Sequence, residues 1–144
     1  MATESKTEVG SYFISNYPPF SQWSAEALDD VRAALHAPPL TPPGSSEPAP
    51  LGLYLHIPFC RKRCKFCYFR VYTDKNADEV GIYSDAIVRE VELYAATAAA
   101  RGRHLDFVYF GGGTPSYLSA SQLRSLMTRL QAILPWDKAR EVTF

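Results

Sequence analysis

The sequence predicts an α/β fold, namely the N-terminal part of a partial (β/α) TIM-like barrel with parallel strands, preceded by an N-terminal extension. Two observations predict it. Short apolar runs alternate with long amphipathic helical patterns after residue 50, and a proline-rich stretch separates this part from the first third of the chain. We therefore divide the chain into residues 1–48, an aromatic and proline-rich extension with its linker, and residues 49–144, the start of a core domain.

The composition restricts the classes of protein to which the chain can belong. Its 144 residues are 47% apolar and 21% charged, which is ordinary for a small globular protein. The 15 basic and 15 acidic residues cancel to a formal charge of zero, which argues against nucleic acid as a partner bound by bulk charge. The N-terminus lacks an apolar signal core, and no apolar run reaches the ~20 residues of a membrane helix. We predict a cytoplasmic protein without a membrane span.

The extension has three segments. Residues 12–23 are aromatic and contain proline, which predicts an apolar arm that packs on the main domain. Ser24 can cap a short helix whose apolar residues fall on one stripe: Leu28, Val31 and Leu35. Residues 38–50 are rich in proline, glycine and serine, so we expect a linker there.

Three apolar runs predict strands. Residues 51–57 end at Pro58, residues 105–110 form the second run, and residues 141–144 look like a third strand that is cut short. Helical patterns lie between them, so we expect parallel strands joined by right-handed crossovers. An eight-unit barrel needs about 250 residues, and we therefore expect the sequence to be the N-terminal fragment of a longer protein.

Two amphipathic helices connect these strands. The first covers residues 76–101, where apolar residues recur every three or four positions, and Asn76 with Glu79 resembles a capping box. The second starts at Ser119, with Gln122 at the reciprocal capping position.

The loop after the first strand contains all three cysteines of the chain, Cys60, Cys64 and Cys67, in the spacing C-x3-C-x2-C. An odd, clustered set does not suit a disulfide scaffold and predicts metal binding or redox chemistry. With His56 as a fourth ligand the set would suit zinc. A 4Fe–4S cluster on three cysteines would instead leave one iron open to a substrate or cofactor. The residues by themselves leave both metals open.

The loop after the second strand is rich in glycine. Three glycines, at positions 111 to 113, precede Thr114 and Pro115, which would allow backbone amides to approach a ligand closely. The Lys-Ser/Thr ending of a P-loop is missing. Loops that follow parallel strands lie at the same edge of the sheet, so we expect the two loops to build one site.

Three sequence features together resemble the radical S-adenosylmethionine superfamily, specifically its oxygen-independent coproporphyrinogen III oxidase-like branch. They are Tyr-Leu-His-Ile-Pro-Phe-Cys at residues 54–60, the cysteine spacing with Phe66 before the last cysteine, and Phe-Gly-Gly-Gly-Thr-Pro-Ser at residues 110–116. The resemblance covers about residues 51–144. One departure is Phe69, which stands where the coproporphyrinogen dehydrogenase has a further cysteine.

The resemblance implies an oxidoreductase of porphyrin biosynthesis. It implies that Cys60, Cys64 and Cys67 hold a 4Fe–4S cluster whose fourth iron chelates S-adenosylmethionine, and that reductive cleavage of this cofactor gives a 5′-deoxyadenosyl radical for hydrogen abstraction. It also implies a set of cofactor-binding residues: Tyr54, Phe66, Gly112, Gly113 and Thr114. It assigns no further catalytic residue. The implied partners are a small-molecule substrate, porphyrin-like or otherwise conjugated, and a flavodoxin-type or similar electron donor.

Three alternatives stay open at this point. Within the same branch, the chain could belong to a heme chaperone-like protein or to a radical S-adenosylmethionine methylase or cyclopropanase. In a different class, it could be a zinc-stabilised nucleic-acid-binding module that uses the basic residues between its cysteines.

Overall fold

The computed structural model describes residues 23–67 and 69–144, and its core is one parallel sheet with two helices on one face. The predicted apolar arm of residues 12–23 lies outside the described residues except for Trp23. Apart from two 3-10 turns, the described residues form three strands, β1 (Gly52–Ile57), β2 (Phe107–Gly112) and β3 (Glu141–Thr143), and three α-helices, α1 (Leu28–His36), α2 (Ala77–Ala95) and α3 (Ala120–Ile133).

The strands pair in the order β1-β2-β3, and both pairings are parallel. Alternate residues of the sheet, such as Leu55 and Phe110, are buried with residues of α2 and α3 in one apolar cluster. The opposite face carries Tyr54 and Tyr109, which are half exposed. Successive parallel strands with their helices on one face are the arrangement of the first units of a (β/α) barrel. The predicted fold class is therefore confirmed.

The helix α2 begins as predicted and ends earlier than predicted. The Asn76 side chain accepts from the Glu79 amide at 3.0 Å, and the Glu79 carboxylate accepts from the Asn76 amide at 3.1 Å, which confirms the capping box. The predicted end at residue 101 was wrong, because the helix stops at Ala95. There the Thr97 hydroxyl donates to the Tyr94 carbonyl at 2.7 Å and replaces a helical hydrogen bond.

The strand β2 is shifted relative to the prediction of residues 105–110. It begins at Phe107 and continues through Gly111 and Gly112, which pair with His56 and Ile57. The prediction treated the glycines as loop, but a strand can continue there because glycine leaves room for aromatic rings on the neighbouring strand. The predicted starts of α3 and of β3 agree with the structure, and Ser119 and Gln122 form the expected capping box.

The helix α1 is present, but its cap differs from the prediction. A 3-10 turn, Ala25–Ala27, precedes it, and the Ser24 side chain makes no capping hydrogen bond. The predicted stripe is not buried, since Leu28 and Val31 are both more than half exposed. The helix is tied to the core region through the Leu35 carbonyl, which accepts from the Ala99 amide at 3.2 Å. The division between residues 48 and 49 stays a prediction. No helix in the described part of the chain combines the length and the apolar content needed to cross a membrane.

Candidate metal and cofactor site

The loop that contains the three cysteines (residues 58–72, the cysteine loop) and the glycine-rich turn (residues 111–114, the glycine turn) lie side by side at the carboxyl ends of β1 and β2. The Gly113 amide donates to the Ile57 carbonyl at 2.7 Å, and the Thr114 amide donates to the Phe59 carbonyl at 2.8 Å. Two backbone hydrogen bonds therefore connect the glycine turn to the end of β1 and the start of the cysteine loop. These two amides bind carbonyls at the end of β1 and in the cysteine loop, and the assignment of Gly112, Gly113 and Thr114 to a cofactor stays a prediction.

The cysteine loop closes on itself. The Cys60 amide donates to the Tyr72 carbonyl at 3.0 Å, and the Tyr72 amide donates to the Pro58 carbonyl at 2.8 Å. The loop therefore leaves and returns at one place beside β1. Within it, the Cys67 amide donates to the Cys64 carbonyl at 3.1 Å, and the Arg63 guanidinium donates to the Cys67 carbonyl at 2.9 Å.

The three thiols stand in three different environments. Cys60 is buried, and the Thr114 hydroxyl donates to its Sγ at 3.4 Å. Cys67 is half-buried, and Cys64 is exposed. None of them forms a disulfide. Across residues 23–67 and 69–144, no three side chains of the Cys, His, Asp or Glu types are gathered as a ready metal site.

The donor set is of the kind that an iron–sulfur cluster uses. Three unpaired thiols lie on one closed loop, as three-cysteine ligation of a cluster requires. The candidate fourth ligand for zinc, His56, lies on the open face of the sheet, where its Nδ1 atom shares a 2.8 Å hydrogen bond with the Tyr54 hydroxyl. The assignment of the three cysteines as metal ligands stays a prediction.

Steric contacts explain why two positions of the turn are glycine. Gly112 has a φ of +99°, and a Cβ there would lie 2.7 Å from the ring of His56. A Cβ on Gly113 would lie 2.9 Å from Cys60 Sγ and 2.8 Å from the Phe59 carbonyl oxygen. A side chain at Gly112 would displace the His56 ring and strain the backbone, and one at Gly113 would push the turn away from the cysteine loop.

The His56 ring links the open face of the sheet to both loops. It lies against Gly112, and its centroid is 6.0 Å from that of Phe69, which follows the last cysteine by two residues. Partial burial lowers the pKa of His56, so the ring is held neutral. Its backbone carbonyl accepts from the Tyr83 hydroxyl of α2 at 2.8 Å, and burial raises the pKa of Tyr83 above its ordinary value.

The predicted cofactor-binding residues are only partly brought together. Tyr54 lies beside the glycine turn, where an added Cβ on Gly111 would be 2.8 Å from its ring. Phe66, in the middle of the cysteine loop, is 88% exposed. Sequence reasoning missed Tyr109, whose ring centroid lies 5.6 Å from that of Tyr54. The alternation of β2 could have found it, because residues two apart on a strand share one face.

Comparison with known proteins gives consistent results. The family described as the Radical SAM superfamily matches residues 54–140. Anaerobilin synthase of Escherichia coli O157:H7 is 41% identical over 100 residues, which cover 69% of this chain and 22% of the relative. Oxygen-independent coproporphyrinogen III oxidase of Pseudomonas aeruginosa is 36% identical over 122 residues, which cover 85% of this chain and 23% of the relative.

Two further relatives agree with these. Heme chaperone HemW of Escherichia coli K12 is 33% identical over 94 residues, which cover 65% of this chain and 24% of the relative. A solved structure, coproporphyrinogen III oxidase (HemN) from Escherichia coli, described as a radical SAM enzyme, aligns with a TM-score of 0.67 and 28% identity over 92% of this chain and 29% of its own. The chain spans less than a third of each of these four relatives.

Proposed function

Because this chain belongs to the radical S-adenosylmethionine superfamily, we propose that the full-length protein is a radical enzyme of the coproporphyrinogen III oxidase-like branch. Its proposed substrate is a porphyrin-like or other conjugated small molecule, since the relatives are named for coproporphyrinogen, heme and anaerobilin. The observation that carries the proposal is the contact of Cys60 with the glycine turn, where the Thr114 hydroxyl donates to its Sγ at 3.4 Å.

The proposed cluster ligands are Cys60, Cys64 and Cys67. When bound, a 4Fe–4S cluster supplies the electron that cleaves S-adenosylmethionine into methionine and a 5′-deoxyadenosyl radical, which abstracts hydrogen from a substrate carbon. The chain's own contribution is orientation and shielding. Cys60 is buried between its own loop and Gly113, so one corner of the site is fixed by the fold and protected from water.

The proposed cofactor contacts follow the same edge of the sheet. Tyr54 offers a flat aromatic surface beside Gly111. The missing side chains of Gly112 and Gly113 make room for the His56 ring and for Cys60, so we propose that these glycines and Thr114 shape the edge of the cofactor site. The neutral His56 ring holds the Tyr54 hydroxyl through the 2.8 Å hydrogen bond. The contact proposed for Phe66 requires the tip of the cysteine loop to rearrange, because this ring is exposed.

Two further parts of the proposal concern the setting of the reaction. Unpaired thiols beside an oxygen-sensitive cluster suit a reducing compartment, and we therefore propose a cytoplasmic location. A flavodoxin-type or similar protein would supply the electron.

The test is anaerobic reconstitution of the full-length protein with iron and sulfide. We expect a brown protein that contains about four irons, as a 4Fe–4S cluster has, and that forms 5′-deoxyadenosine from S-adenosylmethionine in the presence of dithionite. A variant with all three cysteines changed to alanine should lose both properties, whereas Thr128→Ala, on the exposed side of α3, should keep them. A colourless protein containing one zinc, or a cluster without any cofactor cleavage, would overturn the proposal.

A second candidate function is heme transfer without radical chemistry. It is favoured by the similarity to heme chaperone HemW and by Phe69, which stands where the dehydrogenase has a cysteine. Heme transfer and cofactor consumption, measured on the same protein, distinguish the two candidate functions. The chaperone function predicts heme binding and transfer to an apo-acceptor without S-adenosylmethionine, and the enzyme function predicts substrate-dependent cofactor consumption.

A further inference from the structure

The cysteine loop is strongly basic and contains no acidic residue. Five basic residues fall between Cys60 and Tyr72, and no acidic residue stands between Glu47 and Asp74. The rest of the chain holds ten basic and 15 acidic residues, so the neutral total hides a strong asymmetry. All five side chains are exposed. We name them the basic loop surface: Arg61, Lys62, Arg63, Lys65 and Arg70.

These cations are not neutralised by the fold. Elsewhere on the surface, basic residues of the helices pair with acids, for example Arg89 with Glu92 at 3.0 Å and Arg129 with Asp85 at 2.6 Å. Within the described part of the chain, no member of the basic loop surface forms an ion pair. Arg63 donates to a backbone carbonyl, and the Arg70 guanidinium lies 5.5 Å from the centroid of the Tyr72 ring. Their positive charge is therefore available to a partner.

Two members of the basic loop surface, Arg61 and Lys62, line cavities beside the glycine turn. Arg61 and Lys62 line a shallow cavity with Ser116 and Tyr117, on the side of the glycine turn that leads to the helices. Arg61 also borders the cavity between the N-termini of α2 and α3, whose helix dipoles add positive potential. Tyr54 and Tyr109 occupy the other side, on the open face of the sheet. Arg61 and Lys62 are thus placed on the side of the helices, where a macromolecule approaching from outside can reach them, and not on the open face that carries the two tyrosines.

We propose that the basic loop surface is the docking site for an acidic protein that donates single electrons to the cluster. The inference rests on the proposed function, because only a redox centre on this loop needs such a donor. In each transfer the reduced donor loses one electron and the cluster gains it, with no bond formed between the proteins. Exposed Cys64 lies within the surface, so docking brings the donor next to the part of the loop that is open to solvent. Complementary charge speeds such encounters and makes them sensitive to salt.

The experiment uses the reconstituted full-length protein and reduced flavodoxin as the acidic donor. A charge-reversal variant carries Lys62→Glu and Lys65→Glu, and a matched control carries Arg124→Glu and Lys138→Glu, two exposed residues outside the loop. A milder variant with Lys62→Gln and Lys65→Gln serves if the reversal prevents cluster assembly. Three quantities are measured: the dissociation constant of the complex with flavodoxin, the rate of cluster reduction by flavodoxin, and 5′-deoxyadenosine formation with dithionite.

We expect the loop variants to bind flavodoxin and accept its electrons about tenfold to hundredfold less well, while the control changes little. Raising the ionic strength from about 0.05 to 0.5 M should slow the wild type and leave the loop variants nearly unchanged. Dithionite-driven activity should be equal in all of them. Equal losses in loop and control variants, or a rate independent of salt, would overturn the docking site.

Two other outcomes are informative. RNA binding that depends on the loop lysines, with unchanged reduction by flavodoxin, would overturn the docking site in favour of a nucleic-acid surface. Absence of dithionite-driven cofactor cleavage in the wild type would instead overturn the proposed function. The dissociation constant separates the two failures, because it is measured without turnover.

Discussion

The two loops of the candidate site differ in how completely the polypeptide alone determines them. The glycine turn is fixed by two hydrogen bonds to the first loop and by contacts that exclude any side chain at Gly112 and Gly113. The backbone of the cysteine loop is joined to β1 where the loop starts and ends, at Cys60 and Tyr72, and the hydrogen bonds described between these points are formed within the loop itself. Between these points Cys64 and Phe66 are exposed. One half of the site is therefore built by packing, and we infer that the other half is completed by the metal.

The largest effects are expected from serine substitutions of the most buried and the most exposed cysteine, which test this comparison. Cys60→Ser and Cys64→Ser should each reduce iron content and cofactor cleavage to background, because each removes a proposed ligand. Only Cys60→Ser should also lower the free energy of unfolding, by about 1 kcal/mol, since it places a more polar group at a buried position. Chemical denaturation of the metal-free proteins measures the difference. Equal stability of the two variants would contradict the proposed division.

A methyl group added to the turn should have the next largest effect. Gly113→Ala forces a Cβ to within 2.9 Å of Cys60 Sγ and should cost about 2 kcal/mol of unfolding free energy and weaken S-adenosylmethionine binding. The matched control is Gly81→Ala in α2, where an added Cβ meets nothing within 4 Å. That control should be stabilised by about 0.5–1 kcal/mol. Thermal unfolding of both variants measures these changes in stability. A Gly113→Ala protein as stable as the wild type would show that the turn is not fixed by packing.

The pH dependence of stability tests the His56 contact between the two loops. Burial lowers the pKa of His56 in the folded state below its ordinary value of 6.5. The unfolded chain therefore binds the proton first as the pH falls, so stability is fully present above pH 6.5 and declines below it until the folded-state pKa is passed. His56→Gln should remove this part of the pH dependence. Denaturation curves between neutral and mildly acidic pH measure it, and identical pH profiles of the two proteins would refute the assignment.

The smallest effect on stability is expected at the tip of the cysteine loop. Phe66→Ala removes a ring that is 88% exposed, so the unfolding free energy should change by less than about 0.5 kcal/mol. If Phe66 contacts the cofactor after the loop closes, the affinity of the reconstituted protein for S-adenosylmethionine should still fall. Equilibrium binding to the loaded protein tests this, and unchanged affinity would remove Phe66 from the proposed set.

Local chemistry explains which parts of the fold could be predicted. The capping boxes at Asn76 and Ser119 depend on residues three apart, and both are present. The parallel sheet could be predicted because strands and helices alternate along the chain, and this alternation is visible in the local pattern of apolar residues. The early end of α2 also has a local cause, the hydrogen bond of Thr97 to Tyr94, which the apolar periodicity does not reveal. Two other errors arose where residues distant in the sequence determine the structure. The end of β2 depends on the His56 ring on another strand, and the exposed stripe of α1 depends on what packs against it.

The site shows the same limit. Sequence reasoning placed the two loops at one edge of the sheet, because that follows from the topology. It could not predict that the Gly113 and Thr114 amides join the two loops, since these hydrogen bonds depend on the relative position of the loops in three dimensions. It also missed Tyr109, whose importance appears only beside Tyr54.

The most direct test of the central claim is electron paramagnetic resonance of the reduced full-length protein, prepared without oxygen, before and after addition of S-adenosylmethionine. If Cys60, Cys64 and Cys67 hold a cluster with one iron open to this cofactor, the spectrum should show a reduced 4Fe–4S signal that changes when the cofactor is added. Absence of such a signal, or a signal that the cofactor leaves unchanged, would contradict the account.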